Sequence, residues 1–92
     1  MPKLNPVQIK SALRRVPQWK KRRGEITHTY QFKDFVVAMK FVNRVAKLAE
    51  KAGHHPDIDI RWNKVTLVLS THSEGGLTEK DFKLAKQLDQ AA

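Results

Sequence analysis

Ninety-two residues with 40% hydrophobic and 29% charged side chains make one globular domain, residues 1–92, with a single modest core. No stretch approaches the roughly 18 apolar residues of a membrane span, and the opening MPKLNPVQIK lacks the apolar core of a signal peptide. Cysteine is absent, which excludes disulfides and thiolate catalysis, and a cytoplasmic home without membrane association is expected. The net charge of +9 is one-sided: residues 1–46 hold eleven Lys or Arg against Glu25 and Asp34, whereas residues 47–92 hold seven of each sign. A basic half suits an acidic protein partner or an anionic ligand. No nucleic-acid module or basic-aromatic platform goes with the charge, so nucleic acid is not expected as the main partner.

In chain order, LNPVQIKSALRRV predicts a short helix, with Asn5 as N-cap, Pro6 in the first turn and Pro17 ending it. QWKKRR, Gly24 and EITHTYQF read as a hairpin with a solvated basic tip. Ile26, His28, Tyr30 and Phe32 share the apolar-leaning face of its second strand. DFVVAMKFVNRVAKLAEKAG is the strongest helix, bounded by Asp34 and Gly53. Its expected core face is Phe35, Ala38, Met39, Val42, Val45, Ala46 and Ala49. Val37, Phe41 and Leu48 form an extra apolar flank, which predicts a homo-oligomer or, alternatively, packing against the first helix.

DIDIRWNKVTLVLSTH predicts a second hairpin turning at Asn63-Lys64. Trp62 then pairs with Val65, Ile60 with Leu67 and Ile58 with Leu69, all on the core face. The same ladder sets Ser70 opposite Asp57 and His72 opposite His55. GGLTEKDFKLAKQLDQAA closes the chain as a helix, with Thr78 and Asp81 as a capping-box-like pair. The order helix, hairpin, helix, hairpin, helix predicts an α+β two-layer sandwich: an antiparallel sheet of about four strands with helices on one face.

Three of the four histidines gather at one end of the second hairpin. GHHPDI places His54 and His55 between a helix stop and a strand, and STHSEGG brings His72. Glu50 lies four residues before His54, near enough on a helix to orient its imidazole. Three readings stay open on spacing alone: acid–base chemistry on a small molecule, a metal site assisted by Glu50 or Asp57, or a polar loop. Adjacent histidines diverge and no helical His-x-x-x-His pair exists, which weighs against metal.

Glu50, His54-His55-Pro56, Trp62, His72 and Asp81, at their spacing, resemble the signature of the pterin-4a-carbinolamine dehydratase family. FKDF at 32–35, NKV, LSTH and GLTEKD extend the likeness from about Trp19 to Leu88. The resemblance implies dehydration of 4a-hydroxytetrahydropterin to quinonoid dihydropterin, in pterin recycling, with no redox cofactor and no metal. It makes His54 and His72 acids for the leaving hydroxyl from opposite faces, His55 a substrate-holding group or base, and Glu50 the support of His54. Trp62 and Asp81 match the signature but have ordinary structural readings, Trp62 on the hairpin's core face and Asp81 in the helix cap. Ile58 departs from the aromatic residue that follows the histidine pair in animal members, at one wall of the expected pterin pocket. The family also holds non-catalytic modules, a dimerisation cofactor of a homeodomain transcription factor and an enzyme-assembly factor. Either is the alternative function.

Overall fold

The computed structural model describes residues 2–92, which fold as α1 (Pro6–Leu13), β1 (Lys20–Arg22), β2 (Glu25–Gln31), α2 (Phe35–Ala52), β3 (Asp57–Arg61), β4 (Lys64–Leu69) and α3 (Glu79–Ala91). The strands form one antiparallel sheet in the order β1-β2-β4-β3, with the helices packed on one face, as the element order predicts. Each helix start has a named cause. Asn5 and Gln8 form a reciprocal capping box, and Asp34 accepts from the Val37 N–H at 2.9 Å. Ile26, Val65, Leu67 and Leu69 on the sheet meet Ala38, Phe41, Val45, Phe82 and Leu88 from the helices in a dry core.

Two expectations need correction. The second hairpin pairs Arg61 with Lys64, Ile60 with Val65 and Ile58 with Leu67, so its register differs by two residues and the turn is Trp62-Asn63. A two-residue shift preserves which side each residue faces, so apolar patterning cannot detect it. Hydrogen bonding decides it instead. Asn63 is buried, its side-chain amide donates to the Phe32 carbonyl at 2.8 Å, and its own carbonyl accepts from the Phe32 N–H at 2.9 Å. These bonds offset a left-handed Trp62 (φ 50°), a conformation that costs roughly 1–2 kcal/mol for a side-chain-bearing residue. Trp62 is therefore a turn residue, 67% exposed, and does not belong to the core. Ile58 and Ile60 face the helix side, but β3 is an edge strand beyond helix cover, leaving them 40% and 37% exposed.

The second correction is the rotation of α2. Its buried stripe is Ala38, Phe41, Val45 and Ala49, and Phe35 and Val36 stand exposed. Phe41 sets this orientation because its ring lies 4.7 Å from Tyr30 and 5.0 Å from Phe32, centroid to centroid. The flank assigned to an oligomer contact is thus core at Phe41, and the apolar surplus lies at Phe35 and Val36.

Candidate active site

Helix α2 stops because Gly53 adopts φ 62°, where an L side chain is strained. The Gly53 N–H bonds back to the Glu50 carbonyl at 3.2 Å, and the His54 N–H to the Ala49 carbonyl at 3.1 Å. This reversal sends the two histidines to different carboxylates. His54, 11% exposed, sets Nε2 at 2.5 Å from Oδ1 of Asp81. His55 sets its Nε2 at 2.5 Å from Oε2 of Glu50, and both of these side chains are largely in solvent.

The expectation that Glu50 supports His54 is therefore corrected: Glu50 reaches His55, and Asp81 holds His54. The four-residue rule applies only inside a continuous helix, and α2 ends before His54. Asp81 has more than its capping role. Fully buried, it accepts through Oδ2 from the Thr71 hydroxyl at 2.8 Å and the Thr78 N–H at 2.9 Å. The Thr71 and Thr78 hydroxyl oxygens lie 2.9 Å apart. One carboxylate thus ties together His54, the start of α3 and the residue before His72. A carboxylate only accepts, so Nε2 of His54 carries the shared proton and Nδ1 remains available.

His72 opens a short 3₁₀ turn, His72–Glu74, just beyond β4. It lines a cavity of about 310 Å³ together with His55, Ser70 and Asp57. Continuing the observed ladder outward would set Ser70, not His72, opposite His55. The cavity nonetheless unites the two histidines, because the chain turns back at Gly75 and Gly76. His54 lies outside it, on a cavity of about 320 Å³ between α2 and α3 that Lys51, Lys80 and Lys83 share. Trp62 sits at the turn end of the hairpin, opposite the end that carries the histidines. Ile58 lines neither cavity.

The tip of the first hairpin completes the cavity, and patterning along the chain missed it. Arg23, Gly24 and Glu25 line the space, and Ser70 Oγ donates to the Gly24 carbonyl at 2.8 Å. The missing signal was strand order: β2 pairs with β4, with Ile26 opposite Leu69, which carries the tip to Ser70. His28 takes no part. It lies between Trp19 and Tyr30 on β2, and partial burial lowers its pKa despite the nearby Asp89 carboxylate. Burial, followed by the hydrogen bond to Asp89, pushes the Tyr30 phenol well above its ordinary range.

The site therefore offers two imidazoles in one cavity and a third held on a buried carboxylate in the neighbouring one. The sequence profile of the family described as Pterin 4 alpha carbinolamine dehydratase matches residues 2–91. A protein of Acidobacterium capsulatum, provisionally named pterin-4-alpha-carbinolamine dehydratase, is 54% identical over 97% of this chain and 97% of its own. A protein of Nocardia farcinica with the same provisional name is 53% identical over 97% of this chain and 94% of its own. The crystal structure of a transcriptional coactivator/pterin dehydratase from Brucella melitensis superposes with a TM-score of 0.94 at 39% identity, covering 98% of both chains. A pterin dehydratase-like protein described as a RuBisCO assembly factor of the alpha-carboxysome shares the fold alone, with a TM-score of 0.69 at 21% identity over 80% of this chain and 86% of that one. By its matched length and its relatives, the chain belongs to the pterin 4 alpha carbinolamine dehydratase family.

Proposed function

We propose that the protein dehydrates a 4a-hydroxytetrahydropterin to the quinonoid dihydropterin. The observation that carries this reading is the cavity that His55 and His72 share. In this step the C4a–O bond breaks, the oxygen leaves as water after taking a proton, and a ring nitrogen releases a proton as the new C=N bond forms. No electron is gained or lost, so the chemistry demands only acids and a base around a flat heterocycle. His72 serves as an acid for the hydroxyl. His55, backed by Glu50, holds the ring or accepts its proton. His54, held through Nε2 by Asp81, acts as the second acid when a proton also occupies Nδ1. A cytoplasmic location and a role in pterin recycling complete this reading. Loss of the substrate's ultraviolet absorbance on mixing with purified protein tests it.

A second reading, a protein-binding module with no turnover, draws on the exposed apolar residues Phe35, Val36, Ile58 and Ile60. We infer that a second copy of the chain covers part of this surface, giving a homodimer or homotetramer. A catalytically silent protein that keeps its oligomeric state would favour the module.

A further inference from the structure

A third cavity, of about 600 Å³, adjoins the His55–His72 cavity, and the dehydratase reading leaves it without a use. Its floor is apolar, built from Leu4, Ile9, Leu13 and Leu77. Lys3, Lys10 and Lys21 supply its charge, and no acidic residue lines it. Among the described residues none of these lysines forms an ion pair with a carboxylate. The groove therefore presents uncompensated positive charge above an apolar bed.

Gly24, Gly75 and Gly76 line both cavities and form their common wall. No side chain rises from that wall. A Cβ placed on Gly24 would lie 3.8 Å from Gly76 Cα, and one on Gly76 would lie 2.8 Å from Cδ of Lys3. Gly76 thus lets the Lys3 stem lie directly against the wall, at the border of the two spaces. A ligand seated against His55 and His72 can pass a substituent over Gly24 and Gly75, where no side chain intervenes, alongside the Lys3 stem at Gly76.

We propose that this groove is a subsite for the pterin's C6 substituent, and that it selects tails with an apolar segment ending in a carboxylate. The apolar segment lies on Leu4, Ile9 and Leu13, and the terminal charge meets the lysines. The subsite rests on the dehydratase reading, since it needs the ring in the histidine cavity. It gives the one-sided basic charge of residues 1–46 a ligand-binding role at Lys3, Lys10 and Lys21.

Binding titrations with 7,8-dihydrofolate and 7,8-dihydrobiopterin test the idea without turnover. Dihydrofolate should bind roughly tenfold tighter at low salt, the combined weight of a few solvent-exposed ion pairs. That advantage should shrink at high salt and in the Lys10→Ala, Lys21→Ala double variant, which should lose more affinity for dihydrofolate than for dihydrobiopterin. Equal affinities for the two pterins at low salt, with neutral-tailed substrate still dehydrated, would overturn the subsite and leave the dehydratase reading intact. Failure of either pterin to bind, together with no turnover, would overturn both.

Discussion

His54 and Asp81, 27 residues apart in sequence, meet at 2.5 Å through Nε2 and Oδ1, with the carboxylate wholly buried. The same carboxylate holds Thr71, whose neighbour His72 lines the cavity shared with His55. Asp81→Asn should therefore act on two histidines at once. An amide can serve only some of these donors, and a buried charge-assisted bond is worth about 1.5–3 kcal/mol. Turnover should fall together with a loss of stability of about that size, read by denaturant titration. Unchanged stability and turnover would show that the network is idle.

Glu50 and His55 form the contrasting pair, because both side chains are mostly solvent-exposed. An exposed ion pair contributes about 0–1 kcal/mol, so Glu50→Gln should leave the melting temperature nearly unchanged. Its effect should appear in KM, through the freed His55 imidazole. A large drop in stability would contradict this separation.

His28 gives a pH-dependent prediction. Its folded pKa lies below its ordinary value because burial disfavours the charged ring. The unfolded chain then takes up the proton first as pH falls. His28 therefore favours folding above its ordinary pKa of about 6.5, and that contribution is lost as pH drops from there toward the folded value. His28→Phe keeps an aromatic ring beside Trp19 and Tyr30, and its stability relative to wild type should rise between pH 7 and pH 5. Melting curves of the two proteins with the same slope across that range would contradict it.

These contrasts explain what the sequence could and could not disclose. Asp34 and Gly53 bound α2 because capping is local chemistry, legible within four residues. The sheet's faces were legible in Ile26, Leu67 and Leu69 because alternation has a period of two. That same period hid the two-residue register shift, which depends on Asn63 binding Phe32 across 31 positions. The helix stripe was misplaced because α2 is apolar on several sides, and only the Tyr30–Phe41–Phe32 contacts select one. The sequence brought His54, His55 and His72 to one end of the hairpin, but the place of His54 on a separate cavity and the carboxylate partners depend on the chain reversal at Gly53 and the packing of α3.

Oligomerisation should be detectable by light scattering, with a dimer or tetramer in the tens of micromolar. Ile60→Lys places a charge on the exposed apolar edge of β3, and Val36→Lys does so on α2. At least one should lower the mass while preserving the circular dichroism spectrum. A wild-type monomer at these concentrations would remove the proposed self-association.

The most direct test of the dehydratase reading is a stereochemically resolved turnover assay on enzymatically generated 4a-hydroxytetrahydropterin. Wild-type protein should accelerate loss of both 4a-hydroxyl isomers. His54→Ala and His72→Ala should each slow one isomer by roughly 10²–10⁴ and spare the other more, as expected for acids on opposite faces. His55→Ala should weaken binding and slow both. If wild-type protein leaves the spontaneous rate unchanged, or a well-folded His54→Ala, His72→Ala double variant keeps the full wild-type rate on both isomers, histidine-catalysed dehydration is contradicted.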